Sequence, residues 1–237
     1  MVPAGGMKRF YKAAEAAEAE AGFTVLLDGR AVRTPGRALL ALPTRALAEA
    51  IAGEWAAQED ELRSQAMVLM SLACTAIDLV RPRRAEVVAE LTDYGATDLV
   101  CYRAAGPAAL VERQAALWQP LLDWAARVLD APLNTTESAL AVAQPEGSLV
   151  ALGRAVERHD DMALAALATA VKASGSLVIA LALGAGRIDP GAAFEAAELD
   201  ASHQIEAWGE DPEAVKRRAA VMVDLRAATR FLGLLRD

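Results

Sequence analysis

The chain has 237 residues, 54% of them hydrophobic and 24% charged, with a net charge of −8 and a pI near 4.9. That length can bury a sizeable core without metal or disulfide staples, and the composition excludes a disordered or low-complexity chain. The negative balance sets the surface against nucleic-acid backbones and anionic membranes.

Nothing before Met7 pairs a basic stretch with an apolar one, so no secretory signal is read there and these residues are expected to be a leader. Arg9-Phe10-Tyr11 favours a strand and the Ala/Glu run after it favours a helix, which leaves residues 8–20 open. Residues 23–27 read as a strand. Asp28-Gly29 reads as a two-residue hairpin turn, because both central positions of a type I′ turn need positive φ. Residues 31–34 would be the returning strand, Pro35-Gly36 the next turn and residues 37–42 a third strand.

From Thr44, which caps a helix, the pattern is helical almost to the end. Alanine is the commonest residue and the best helix former. Leu47, Ile51, Trp55 and Leu62 fall near one face of the first helix. Residues 67–80 form an apolar helix ended by Arg81-Pro82, and residues 86–99 another. Cys101-Tyr102-Arg103 is a short extended piece. Residues 108–130 form an amphipathic helix that Pro120 should kink or end. A short strand is expected around residues 139–142, then a helix over 148–158. Residues 163–186 carry a single charge, Lys172, yet Ser174-Gly175-Ser176 interrupts them. They read as two core helices, since a membrane span wants ~20 predominantly apolar residues. Asp189-Pro190 starts a helix running to Trp208 and stopping at Gly209, and Asp211-Pro212 starts the last one. The fold class expected is α+β: a small strand-rich domain with one helix over residues 1–65, then an all-helical domain over 66–237.

Most catalytic signatures are missing. There is no GxxxxGK[ST], GxSxG or HExxH. Gly184-Ala185-Gly186 has Asp189 where a dinucleotide fingerprint needs its third glycine. The two cysteines, Cys74 and Cys101, form no CxxC and read as buried thiols in a reducing compartment. His159 and His203 have no partner in a known arrangement. The basic runs Arg81-Pro82-Arg83-Arg84 and Lys216-Arg217-Arg218 read as solvated helix ends.

Acidic residues concentrate near the C-terminus: Glu195, Glu198, Asp200, Glu206 and Glu210, with Gln204 and Trp208 among them. Asp200, Gln204 and Trp208 are spaced i, i+4, i+8, which on a helix makes one stripe of acid, amide and indole. The stripe reads either as a recognition surface or as an ordinary capped helix whose Trp208 plugs the core. An enzyme with a carboxylate site around residues 195–211 is the alternative.

Arg9-Phe10-Tyr11-Lys12, Leu27-Asp28-Gly29-Arg30, Thr34-Pro35, Leu42-Pro43, Glu54-Trp55 with Gln58, and Ala76-Ile77-Asp78 follow one another in a fixed order. Tyr94, Thr97-Asp98, Cys101-Tyr102-Arg103, Gln114, Trp118 and Gly175-Ser176-Leu177 continue it. Asp200, Gln204 and Trp208-Gly209 complete it. In this order the chain resembles the assembly chaperones of the F-type ATP synthase catalytic head, a family of mitochondria and alpha-proteobacteria. Val68 stands where that family usually has proline, and Asp200 where it often has glutamate. The resemblance implies a cytoplasmic bacterial chaperone, monomeric when free, without cofactor, metal or catalytic residues. It would hold the unassembled alpha subunit until that subunit pairs with the beta subunit, and use no ATP. The partner-binding residues it implies are Asp200, Gln204, Glu206, Trp208 and Glu210, with Asp200 foremost. Trp55 and Trp118 are expected to pack in the core.

Overall fold

A computed structural model describes residues 8–138, 140–209 and 211–236. The expected leader before Met7, the alanine at 139 and Glu210 lie outside these residues. The chain divides into two compact units. The first comprises the described residues up to Arg83, together with Asp161–Ala165 and the chain from Arg230 onward. The second comprises Arg84–Asp160 and Ala166–Thr229. Residue 65, where the sequence reading set its boundary, lies inside the first unit.

The first unit is built on an antiparallel sheet of three strands, β1 (Ala14–Ala19), β2 (Gly22–Leu27) and β3 (Arg30–Ala31), in that order. The Ala/Glu run is therefore a strand. Its helical propensity is small per residue, and pairing along its whole length, from Ala14 opposite Leu27 to Ala19 opposite Gly22, outweighs it. Asp28 and Gly29 have φ of 48° and 78°, as the hairpin requires. Asp28 also accepts the amides of Lys12 and Ala13 at 3.0 and 2.8 Å, which pins the chain entering β1 to the hairpin tip. Gly22 tolerates no side chain: its φ is +105°, and a Cβ would stand 2.5 Å from the Leu42 carbonyl oxygen.

The returning strand is shorter than expected, and the third strand breaks into single bridges of Leu39 with Arg33 and Leu42 with Phe23. The cause is the Pro35-Gly36 corner. There Thr34 Oγ1 and the Gly36 amide donate to the Asp78 carboxylate at 2.7 and 2.8 Å.

Thr44 caps α1 (Arg45–Ala56) through the Leu47 amide. Leu47 and Ile51 are fully buried, but Leu62 lies beyond the helix end. The apolar stretch after Met67 forms α2 (Val68–Thr75), followed by a widened turn over Ala76–Val80. Its first turn has no local cap. The Glu54 carboxylate, from α1, accepts the amides of Leu69 and Met70 at 2.8 Å each. Burial raises the Glu54 carboxyl above its ordinary value against those two hydrogen bonds.

The second unit is helical. α3 (Arg84–Asp93) is shorter than the 86–99 expectation, because tight turns over Tyr94–Thr97 and Leu99–Cys101 replace its last part. Gly95 there packs so closely that a Cβ would stand 2.7 Å from Leu152. Tyr102 is extended as expected. It pairs with Thr136, and among the described residues no strand forms at 140–142. α4 (Ala108–Val128) continues past Pro120 rather than ending there.

α5 (Glu146–Glu157), α6 (Asp161–Ser174) and α7 (Leu177–Gly184) follow. Every residue of α7 is buried, yet among the described residues no helix is long and apolar enough to cross a membrane. The stretch expected as one helix from Asp189 to Trp208 is two, α8 (Pro190–Ala197) and α9 (Leu199–Trp208), broken at Glu198. Gly209, at φ +88°, ends α9. α10 (Pro212–Leu234) begins with Asp211, whose carboxylate accepts the amides of Glu213 and Ala214 at 2.9 Å each. The α+β class holds.

Candidate functional site

α9 carries the residues singled out in the sequence, and polar side chains hold it in place. Leu199 is its only buried residue. Where the preceding helix breaks, the buried Glu198 carboxylate accepts a two-pronged contact from Arg217 at 2.8 and 3.0 Å and a third hydrogen bond from Arg218 at 3.1 Å. Arg218 also reaches Ser202 Oγ at 3.0 Å and stacks over Phe194. The basic run at 216–218 is thus not simply a solvated helix end. A buried carboxylate left unpaired would cost several kcal/mol, and the two arginines meet it.

α4 grips the other side. Asp200 accepts Nε2 of the buried Gln114 at 2.7 Å. Gln114 Oε1 accepts the Ala104 amide at 2.8 Å, so the amide is oriented from both ends. One residue earlier, Arg113 closes a two-pronged ion pair on Glu206 at 2.7 and 3.0 Å, which holds the Glu206 carboxyl below its ordinary value. Further along α4, the Trp118 indole donates to the Ala196 carbonyl at 2.8 Å.

The five expected residues therefore separate. Asp200 is half-buried and turned onto Gln114, and Glu206 is committed to Arg113. Gln204 is exposed, and Glu210 lies outside the described residues. Trp208 is 83% exposed. The expectation that it plugs the core is overturned: Leu199 is the buried residue of α9, at its start, and Trp208 lies in solvent at its end, directly before the Gly209 stop. Replacing Trp208 by alanine should consequently change stability by less than about 0.5 kcal/mol, read as an unchanged urea midpoint. A drop like that of a buried tryptophan would contradict this placement.

Among the described residues, Glu198, Asp200 and Glu206 each answer a different arginine or amide rather than one another. The carboxyls held above their ordinary values are elsewhere, at Glu54, Asp98 and Asp224, in each case chiefly by burial. Among the described residues no three His, Cys, Asp or Glu side chains gather as a metal site. Both cysteines are free thiols. Burial, with Asp98 nearby, pushes Cys101 up to about 12, and burial with Asp78 pushes Cys74 up to about 11, far from nucleophilic.

The motifs that looked separate in sequence meet in pairs. Arg9-Phe10-Tyr11-Lys12 meets Asp28, and Thr34-Pro35 meets Asp78. Gln114 meets Asp200, and Asp98 meets Ser176. A model of the ATP12 chaperone protein family matches residues 8–126. The chain belongs to the ATP12 chaperone family. It is 42% identical to Atp12 from Paracoccus denitrificans over 96% of this chain and 98% of that one, with a TM-score of 0.93. An aspartate-to-lysine variant of P. denitrificans Atp12p gives the same identity, 96% and 97% coverage and a TM-score of 0.92. The Atu1473 protein of Agrobacterium tumefaciens is 40% identical, over 96% of this chain and 86% of that one, with a TM-score of 0.92. This is the assembly-chaperone family that the motifs resemble. Sequence reasoning passed over Arg113, which looks like any surface arginine. Only its position next to Gln114, on a helix facing the acidic segment, could have marked it.

Proposed function

We propose that this ATP12-family chaperone holds the unassembled alpha subunit of the F-type ATP synthase catalytic head in the bacterial cytoplasm, and releases it without ATP or any other turnover. The observation that carries the reading is Trp208, 83% exposed at the end of a helix that polar contacts fix on both sides. A large exposed aromatic on a supported helix supplies the contact area typical of interface anchors. An unassembled subunit of an obligate oligomer exposes apolar surface that needs such cover. Gln204 and Trp208 contact the client, while Asp200 and Glu206 set the attitude of the helix. The acids are already engaged by Gln114 and Arg113, which supports binding rather than carboxylate catalysis.

The test is capture from cells co-expressing the alpha subunit, with the beta subunit as control. Selective recovery of soluble alpha subunit supports the reading, and equal or no recovery of the two refutes it. Asp200→Lys should cut recovery at least about tenfold, since it orphans Gln114 and sets a second cation near Arg113. Asp200→Asn keeps the acceptor for Gln114 and should largely keep capture. Equal loss in both variants would instead place the carboxylate charge itself against the client.

A further inference from the structure

The first unit holds a groove of about 560 Å³ that the α9 surface does not involve. Phe10, Tyr11 and Trp55 line it as a row of rings packed edge to face, with centroids 5.4 and 5.5 Å apart; Phe10 stands at the surface, Trp55 is half-buried and Tyr11 between them is buried. Phe10 is 65% exposed, an unusual position for a phenylalanine.

The polar groups along the groove divide into occupied and unoccupied. Tyr11 Oη donates to the Trp55 carbonyl at 2.7 Å, and the Asp28 carboxylate is taken by the amides of Lys12 and Ala13. Arg30 and Arg33 are exposed on the groove wall, and among the described residues neither forms an ion pair with a carboxylate. Arg33 spends one nitrogen on the Arg37 carbonyl at 2.9 Å. The result is an aromatic trough with a cationic wall on a chain whose net charge is −8.

We infer that this groove is a second client-binding site, which takes an extended polypeptide segment carrying carboxylates beside aliphatic or aromatic side chains. Phe10 and Trp55, backed by the buried Tyr11, receive the apolar side chains, and the two guanidiniums receive the carboxylates in their preferred two-pronged geometry. The groove has no glycine-rich phosphate cradle, so its cations fit dispersed carboxylates better than a polyphosphate. The site does not depend on Asp200 or on the identity of the client.

The experiment is a fluorescence-anisotropy titration of the full chain with a short labelled peptide alternating glutamate and leucine around a central phenylalanine. The same peptide with lysine in place of glutamate is the control, and ATP is the competitor. Saturable binding of the acidic peptide is expected, with the lysine peptide at least about tenfold weaker. Arg30→Glu combined with Arg33→Glu should weaken the acidic peptide by about tenfold or more. These two side chains are exposed, and an unchanged circular-dichroism melt checks that the variant is folded. Phe10→Ala should weaken the peptide as well. Asp200→Lys should leave the titration unchanged while it impairs alpha-subunit capture, which separates this site from the one on α9. No saturable binding, equal binding of both peptides, insensitivity to the arginine replacements, or displacement by ATP would each overturn the inference.

Discussion

Replacing Trp118 by alanine should lower the unfolding free energy by about 3–5 kcal/mol, enough to move the thermal midpoint by roughly 10 °C for a chain of this size. Trp118 is fully buried, and the Arg103 guanidinium lies 5.3 Å from its ring. Its indole N–H is the donor that fixes the Ala196 carbonyl at the end of α8. One turn away on α4, Gln114 holds Asp200. Loss of the ring opens a void and frees the α8 terminus together, so the damage should reach α9. Trp118→Phe separates the two effects. It keeps most of the packing but leaves the Ala196 carbonyl without its donor, at about 1–3 kcal/mol. Urea denaturation of the two variants measures both. An alanine variant as stable as the parent would mean that the core of this unit is not where Trp118 places it.

The second large effect belongs to Asp98. Its carboxylate is fully buried between two helical starts, where it accepts Ser176 Oγ at 2.5 Å, the Val178 amide at 3.0 Å and the Val100 amide at 3.2 Å. Ser176 in turn accepts the Ile179 amide, so one acid organises the entry to the fully buried α7. Burial pushes the Asp98 carboxyl up to about 6, more than these hydrogen bonds pull it down. The unfolded chain therefore loses this proton first as pH rises. Between about pH 4 and 6 the folded state binds more protons than the unfolded one, and the stability owed to Asp98 falls with rising pH, by on the order of 3 kcal/mol in all. Asp98→Asn cannot titrate. The stability gap between parent and variant should shift in favour of the variant as pH goes from 4 to 7. Parallel stability curves over that window would rule out the assignment. Asp98→Ala, which strands Ser176 and two amides, should be destabilised at every pH.

Local signals carried much of the fold because their causes are local. Asp28-Gly29 forces its turn, Thr44 and Asp211 cap their helices, and Gly209 stops α9, whatever surrounds them. What escaped was set by partners distant in sequence. The Ala/Glu run became β1 only because β2 lies beside it, and α2 starts cleanly because Glu54 reaches over from another helix. The break at Glu198 depends on Arg217 and Arg218, about twenty residues away, and no periodicity announces it. Nor did spacing tell the fate of Trp208: the stripe lies on one unbroken helix, and its indole ended up in solvent. At the candidate site the sequence located the segment and its acids. Which acid faces inward is decided by Gln114 and Arg113, whose side of α4 becomes known only once the helices are packed.

α9 buries a single side chain and is moored by ion pairs and amide hydrogen bonds. Apolar packing resists detachment almost independently of ionic strength; of the ion pairs here, the exposed Arg113–Glu206 pair weakens as salt screens it, and the buried Glu198 pairs do so much less. A helix fastened in this way lies at the labile end of the molecule's range of local openings. Detaching it would break these polar contacts and uncover one buried side chain, Leu199. On the function proposed above, the hold of α9 on a client would answer to ionic strength sooner than the core of its unit does.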